Sequence, residues 1–329
     1  MKRLLTAAVV LALVATGCRD ASGPSSEQHS GRAVIWFNGL SANADVWYYE
    51  SDSLVGNAWV TGGAPNQIRE LYDGRVAILS SLSADLIIFN SDTTGVIEDQ
   101  ILFENGSNPY SFDVEGTTGA AAKLLTSSVA LFDLSEGVTG SIETRVNPSG
   151  TEIFGNSLFI SYANWPDASS PGGISVYPLS GGAETAWLNT GVNTHWLKEQ
   201  PTGMIHAYST TYTDDGVISV VDPVNLTVVT QIQCGGAPGE AVYVNDEFLS
   251  PDGWGQGGLI CYTESGSAIS RIELPVTPTG LAISGDTLYV TSFAANKVYL
   301  FDVNGYTLFD SLSCSGEGPQ GIIAVSPKR

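Results

Sequence analysis

A short turn that ends in proline recurs along the chain at a nearly constant interval, and this repeat limits the fold more than any other feature. The mean step between Pro65 and Pro319 is about 42 residues. Repeats of this length are typical of folds that stack one small supersecondary unit many times. Thr194 stands where one further turn is expected, which gives seven units. The proline turns are Ala64-Pro65, Asn108-Pro109, Asn147-Pro148, Ala237-Pro238, Thr277-Pro278 and Gly318-Pro319.

Each unit contains four short runs of β-branched and aromatic residues, separated by Gly, Asn, Asp, Ser or Pro. The last complete unit is the clearest, with runs at Gly280–Ser284, Thr287–Thr291, Lys297–Asp302 and Tyr306–Ser313. Such runs are typical of β-strands, and no helical periodicity of useful length follows Arg32. One four-stranded sheet has two faces to bury, and seven sheets packed around an axis bury all of them. The sequence therefore predicts an all-β fold, a seven-bladed β-propeller of four-stranded antiparallel blades.

The last unit also resembles a known repeat family. The segments that are similar to the YVTN-type propeller repeat are Thr287–Thr291, Asn296–Val298, Phe301-Asp302 and Gly318–Gly321. Ser292 replaces the asparagine that is usual in that repeat. The resemblance implies the propeller fold and no particular activity, because function in such folds lies in the loops.

The first and last strands predict how the ring closes. The first unit begins directly at Val34–Phe37, with no inner strand before it. Gly321–Val325 follows the last turn without a unit of its own. We therefore expect Gly321–Val325 to join the first blade as its innermost strand and so to close the propeller.

The N-terminal residues resemble the leader of a bacterial lipoprotein. Met1–Arg3 is positively charged, Leu4–Gly17 is a run of apolar and small residues, and Cys18 follows at once. As a helix this run would span about 21 Å, which is too short to cross a bilayer. The resemblance implies a diacylglyceryl group on Cys18 and a place in the cell envelope, in the outer membrane where the organism has one. The alternative is an ordinary secreted protein with a coincidental cysteine.

These features divide the chain into three parts. Residues 1–17 are the predicted signal peptide, and residues 33–329 are the predicted propeller domain. Residues 18–32 are mostly small and polar without any periodicity, which is typical of a flexible tether. The tether would connect the lipidated Cys18 to the folded body.

The charge balance excludes several partners. Asp and Glu outnumber Lys and Arg by 34 to 13, which gives a formal net charge of −21. So few basic residues cannot neutralise a run of phosphates, which excludes nucleic-acid binding. A basic patch for anionic lipid is excluded for the same reason, so the expected membrane contact is the N-terminal lipid. The acidic excess predicts a self-repelling surface, and we expect a monomer.

Residues suited to catalysis or metal binding are scarce. No nucleophile elbow, zinc-protease motif or phosphate-binding glycine loop is present. His195 and His206 are the only histidines in the predicted body. The cysteines other than Cys18 lack the paired spacing of a zinc knuckle, so we interpret Cys234, Cys261 and Cys314 as structural. We expect no metal and no cofactor.

The best candidate site is one face of the propeller, where the turn that leads into each blade lies beside the loop after its second strand. Several of these segments carry large aromatic residues, interleaved with amides and acids. Such a surface suits a polar ligand with apolar faces, for example a sugar or a peptide. The simpler interpretation is that the rings only fill the channel or pack between blades. The candidate residues are Tyr110, Asn164, Trp165, His195, Trp196, Tyr212, Glu240, Trp254 and Phe293, with Gln67 and Gln320 beside them.

Two classes of function follow from these candidates. The first is a binding or scaffold module that presents its face to a protein, peptide or glycan. The alternative is a lyase or lactonase of the kind hosted by similar propellers, with His195 or His206 as base and Glu240 as its partner. The scarcity of histidine favours binding, whereas a histidine and a carboxylate that reach one common point would favour the enzyme.

Overall fold

The computed structural model describes residues 31–163 and 172–326 of the chain. Its strands form seven four-stranded antiparallel sheets arranged in a ring, which confirms the predicted β-propeller. Within the described ranges no helix has the length and apolarity needed to cross a membrane. Three residues singled out by the sequence, Cys18, Asn164 and Trp165, lie outside the described residues.

Each blade contains four strands of three to eight residues. β28 joins β1, β2 and β3 in blade 1, and β4 to β27 form blades 2 to 7 in consecutive groups of four. In chain order the strands are β1 (Ala33–Asn38), β2 (Asn43–Tyr48), β3 (Ser53–Val60), β4 (Pro65–Glu70), β5 (Arg75–Ser80), β6 (Asp85–Asn90), β7 (Asp99–Leu102), β8 (Pro109–Glu115), β9 (Thr118–Lys123), β10 (Ser128–Asp133), β11 (Gly137–Glu143), β12 (Pro148–Phe154), β13 (Ser157–Tyr162), β14 (Gly173–Pro178), β15 (Ala186–Asn189), β16 (Thr194–Glu199), β17 (Ile205–Ser209), β18 (Val217–Asp222), β19 (Thr227–Gln233), β20 (Val242–Val244), β21 (Glu247–Pro251), β22 (Leu259–Tyr262), β23 (Ile269–Ile272), β24 (Gly280–Ser284), β25 (Thr287–Ser292), β26 (Lys297–Asp302), β27 (Leu308–Ser313) and β28 (Pro319–Val325).

Closure of the ring follows the predicted scheme. β28 pairs antiparallel with β1, with Ala33 opposite Val325 and Asn38 opposite Pro319. The closing strand therefore begins two residues before the predicted Gly321. Because its partners are the first strands of the chain, the two ends of the propeller domain complete one blade together.

The core consists of apolar layers between neighbouring blades, and β1 shows how one strand serves two of them. Ile35 and Phe37 belong to the buried cluster shared with blade 2. Val34 and Trp36 belong to the cluster shared with blade 7. All four side chains are at most 2 % exposed. Strands buried on both faces lack the alternation of polar and apolar residues that marks a half-exposed sheet.

Candidate functional site

The loops at one end of the channel are fastened to each other by a repeated turn. In five blades the residue just before the inner strand has a left-handed backbone, which Gly and Asn adopt most readily. In each case the first residue after the second strand donates its N–H to the carbonyl of that residue, as Ser81 does to Ala64 at 2.9 Å. Four of the six proline turns of the sequence therefore hold two loops together, and the fifth turn of this kind, Asn193-Thr194, lacks the proline. The left-handed residues and their φ angles are Ala64 (53°), Asn108 (52°), Asn147 (57°), Asn193 (58°) and Gly318 (70°).

Side chains from four of the fastened blades, together with Trp254 of blade 6, surround the opening of the channel. The space between them has a volume of about 510 Å³. No side chain in this set carries a charge, and four of the set are predicted candidates. We call this opening the aromatic mouth; it is lined by Asn66, Tyr110, Trp196, Tyr212, Trp254 and Gln320.

Two rings of the aromatic mouth stack on each other although they come from different blades. The ring centroids of Tyr110 in blade 3 and Trp196 in blade 5 are 4.9 Å apart, with an interplanar angle of 21°. Blade 4 lies between them and contributes Ser149 and Gly150 at the matching positions of β12. Because these side chains are small, the two rings can meet, and the stacked pair forms one wall of the mouth.

Tyr212 is held at the mouth by an unusual backbone. Its φ is 63°, in the left-handed region that bulky residues avoid. Its N–H donates to Oγ1 of Thr210 at 2.9 Å, and the residue remains 51 % exposed. A strained backbone of this kind costs about 1 to 3 kcal/mol and is concentrated at functional sites. The strained backbone therefore lowers the stability of this loop and keeps the ring of Tyr212 exposed to solvent.

Trp254 is the second ring with a large exposed surface. It comes from the loop between β21 and β22 and is 55 % exposed. Phe293 in blade 7 supports it edge to face, with ring centroids 5.4 Å apart. Phe293 does not line the mouth itself, so its role is to brace Trp254 from behind.

His195 lies just below these rings and is neutral. Asn193 donates through Nδ2 to His195 Nε2 at 2.7 Å, and the His195 ring is 5.4 Å from the ring of Tyr212. Burial lowers the pKa of His195 to about 4. The imidazole is therefore uncharged at neutral pH and already accepts a hydrogen bond at one nitrogen.

Glu240 lines the same cavity as His195, which continues below the mouth with a volume of about 310 Å³. Gln67 donates through Nε2 to Glu240 Oε1 at 2.8 Å. Arg69 donates through Nη1 to Oε2 at 3.3 Å and through Nη2 to Oε1 at 3.2 Å. These contacts cross the axis from blade 2 to blade 6, so both carboxylate oxygens already bind the protein.

The other histidine considered as a base, His206, is remote from the channel opening. It is fully buried in a cluster shared by blades 5 and 6. Its ring nitrogens lie 2.8 Å from the hydroxyl of Tyr262 and 3.1 Å from Oε1 of Glu264. Burial, with a smaller contribution from Lys198, lowers its pKa to about 3. His206 therefore has a structural role and is not placed to act on a ligand in the mouth.

The opposite end of the channel carries acids that the sequence analysis did not single out. We call it the acidic end; its members are Asp113, Glu115, Glu152 and Glu199, all in the inner strands β8, β12 and β16. Burial, and next the repulsion of Asp113, raises the pKa of Glu152 well above its ordinary value. Arg69 Nη2 lies 4.0 Å from Glu152 Oε2, and Lys198 donates to the carbonyl of Ala241 at 3.0 Å. The sequence signal that could have indicated this acidic end was the glutamate that ends both β8 and β16.

The sequence analysis also missed a set of leucines on the mouth face. They occupy matching positions in the loops of blades 1, 2 and 3, and each donates its N–H to a carbonyl of the adjacent leading turn at 2.9 to 3.2 Å. The leucines and their exposures are Leu40 (66 %), Leu82 (77 %) and Leu125 (61 %). The tripeptide Leu-Ser-Ala, which begins at both Leu40 and Leu82, was the signal that could have revealed them.

The described residues form no evident metal site. Within the two described ranges no group of three or more His, Cys, Asp or Glu side chains is arranged to hold a metal ion. Cys234, Cys261 and Cys314 are free thiols, and Cys234 and Cys314 pack against apolar clusters between blades. These thiols therefore contribute to packing and form no disulfide with one another.

Comparisons with known proteins support the fold. No family model and no curated protein sequence matches the chain. The structure of apo AztD from Citrobacter koseri aligns with a TM-score of 0.62 at 14 % identity, over 91 % of this chain and 100 % of that chain. A functionally unknown protein from Desulfotomaculum acetoxidans aligns with a TM-score of 0.71 at 11 % identity, over 90 % and 99 %. A streptogramin B lyase aligns with a TM-score of 0.64 at 13 % identity, over 90 % and 95 %. At these identities the likeness concerns the propeller fold alone.

Proposed function

We propose that this chain is a cell-envelope lipoprotein whose propeller binds a protein, peptide or glycan at the aromatic mouth. The observation that carries the binding proposal is the pair of half-exposed rings, Tyr212 and Trp254, at an opening whose six described side chains are uncharged. An apolar ring exposed to water gains free energy when a ligand covers it. The exposure also argues against rings that merely fill the channel.

The lipoprotein part of the proposal rests on Leu4–Gly17 and Cys18, and the topology is compatible with it. β1 starts at Ala33 opposite Val325, the last residue of β28. Both ends of the propeller domain therefore leave the ring at the acidic end, away from the mouth. Residues 18–32 could extend at most about 50 Å from a membrane. An anchor at Cys18 would thus leave the mouth free to meet a ligand in the envelope.

A substitution at the acylated residue tests the anchor. In cells supplied with an alkyne-tagged fatty acid, the full chain should be labelled and found in the membrane fraction. Cys18→Ser should lose the label and the membrane association, whereas the control Cys314→Ser should keep both. An unlabelled wild-type chain would contradict the lipoprotein proposal.

Capture from solubilised cell envelopes tests the mouth. We expect Tyr212→Ala with Trp254→Ala to reduce the ligand captured by the full chain at least tenfold, because both stacking surfaces are removed. Tyr72→Ala is the matched control, since Tyr72 is 66 % exposed and lies in the turn after β4 at the opposite end. Equal capture by the double variant and the control would contradict binding at the mouth.

One observation keeps the lyase or lactonase alternative as a second candidate: His195 and Glu240 line one cavity. Against it, His195 Nε2 accepts from Asn193, and both oxygens of Glu240 are bound to Gln67 and Arg69. Turnover of a streptogramin B, followed by mass spectrometry, separates the two functions. An enzyme should lose at least 100-fold in rate in His195→Ala. If the protein is a binding module, neither the wild-type chain nor the His195→Ala variant should turn over the streptogramin.

A further inference from the structure

The six described side chains that line the aromatic mouth are uncharged, and this restricts the chemistry of a ligand that they hold. The lining consists of two amides and four aromatic rings. His195 just beneath them is neutral, because burial lowers its pKa to about 4. A ligand recognised by its charge would require a charged partner in the first layer of contacts. The mouth therefore favours a ligand that is itself uncharged.

The two kinds of lining side chain lie on different sides of the opening. The amides come from the adjacent blades 1 and 2, where Gln320 and Asn66 stand at the start of β28 and β4. The rings come from blades 3, 5 and 6. Asn66 donates through Nδ2 to Ser81 Oγ, which fixes the orientation of its amide. A bound molecule therefore meets hydrogen-bonding groups on one side and flat apolar faces on the other.

The ring faces have the right form for stacking. Tyr110 and Trp196 are stacked on each other and present one continuous wall. Tyr212 and Trp254 are 51 % and 55 % exposed, and each is held in place, one by its left-handed backbone and one by Phe293. Rings that are already ordered lose little conformational freedom when a ligand covers them.

We propose that the aromatic mouth binds an uncharged saccharide, with a sugar ring stacked on Trp254 or Tyr212 and its hydroxyl groups bonded to Asn66 and Gln320. A pyranose ring has one face of C–H groups and an edge of hydroxyl groups, which matches the division of the mouth into rings and amides. Proline-rich peptides also dock in aromatic grooves, but a proline ring lacks the edge of hydroxyl groups that the two amides on one side of the mouth can bind. This inference rests on the proposed function and names the ligand class of the same site.

Neutral tetrasaccharides built from glucose, N-acetylglucosamine, mannose and xylose are the probes that test the proposal. Binding to the purified full chain is measured by saturation-transfer NMR and by tryptophan fluorescence. At least one tetrasaccharide should bind, with a Kd that changes less than twofold between 20 and 500 mM NaCl, because no charges are paired. Trigalacturonate and the peptide acetyl-Leu-Arg-Leu-amide serve as the acidic and basic comparisons and should bind at least tenfold more weakly.

Substitutions locate the bound sugar. Trp254→Ala and Tyr212→Ala should each raise the Kd at least tenfold, Trp254→Phe should restore part of the affinity, and Tyr72→Ala should change it less than twofold. Melting curves check that each variant is folded. Failure of all four neutral sugars to bind, tighter binding of either charged probe, or equal effects of Trp254→Ala and Tyr72→Ala would overturn the saccharide proposal. Envelope capture that still depends on Trp254 would then leave the binding function standing, whereas capture independent of Trp254 would remove both.

Discussion

The two ends of the channel are built from the same inner strands and differ in chemistry. At the aromatic mouth the first residues of these strands are uncharged, and the loops are fastened by backbone hydrogen bonds. Deeper in the channel, Arg69 pairs with Glu240 and Lys198 donates to Ala241, both from one blade to another, and Glu152 of the acidic end lies 4.0 Å from Arg69. Side chains that hold blades together are not free to bind a ligand. The difference teaches that the contacts between blades lie in the charged part of the channel, whereas the described side chains of the mouth, where we propose binding, make no ion pair.

Removal of the closing strand should have the largest effect, because β28 extends from Gln320 at the mouth to Val325 at the acidic end. A chain that lacks residues 320–329 leaves blade 1 without its inner strand and exposes the layer that contains Ile322. We expect a loss of more than about 5 kcal/mol and of cooperative unfolding. Thermal unfolding followed by circular dichroism measures this. Removal of residues 327–329 alone is the control, and an unchanged melting curve for the longer deletion would refute closure as the basis of stability.

Arg69→Met should remove the ion pairs in the charged part of the channel without changing the residues of the mouth. Glu240 loses its paired cation, and Glu152 and Asp113 lose the charge that offsets their burial. We expect a loss of about 3 kcal/mol, because the remaining charges stay largely buried without a partner. The matched control is Arg75→Met, whose partner Asp73 lies in a hairpin turn, and which should cost less than about 1 kcal/mol. Urea unfolding of both variants decides the point, and equal losses would show that the channel charges do not hold the blades.

Glu152→Gln should show a smaller effect that depends on pH. Burial raises the pKa of Glu152 in the folded protein, so the native state holds its proton more tightly than the unfolded chain does. This residue therefore weakens the fold progressively as the pH rises above about 4.5 and through the folded-state pKa. The amide removes that cost, so the urea midpoint should rise at pH 8 and match the wild type below pH 4. Glu115→Gln, at an exposed position of the same end, should change neither midpoint; a gain that is equal at both pH values would contradict the assignment.

Trp254→Ala should have the smallest effect on stability although it removes one of the two tryptophans of the mouth. Trp254 is 55 % exposed, and we expect a change within about 0.5 kcal/mol. Ligand binding should nevertheless fall at least tenfold. A melting temperature that drops as far as that of Arg69→Met would mean that the mouth is also part of the structural framework, and the distinction between the two ends would fail.

The fold could be predicted because its main signal is local. A left-handed residue followed by proline, as at Asn108-Pro109, is encoded by two neighbouring positions and reports a whole blade. The strand Lys297–Asp302 was predicted with its observed limits. The inner strand of blade 1 could be predicted because the first unit of the sequence lacks one strand and one further strand follows the last unit.

The site could be predicted only in part. The direction of each side chain, and which blades face each other across the axis, depend on the whole propeller and not on neighbouring residues in the sequence. Tyr110 and Trp196 both line the mouth, but their stacking depends on the small residues of blade 4. Arg69 and Glu240 are 171 residues apart and meet across the axis, which no spacing in the sequence indicates. Phe293 was expected among the site residues, and its edge-to-face contact with Trp254 could not be read from the sequence.

The closure of blade 1 also sets the order in which the chain can fold. β1, β2 and β3 are synthesised first, yet their inner strand is delivered only with residues 319–325. Until that segment arrives, the ring has an open edge, and its closure joins parts of the chain with the greatest separation in sequence. Complete folding must therefore wait until nearly the whole polypeptide has been released. If the proposed leader at Leu4–Gly17 directs export, the ring can close only after residues 319–325 have crossed the membrane.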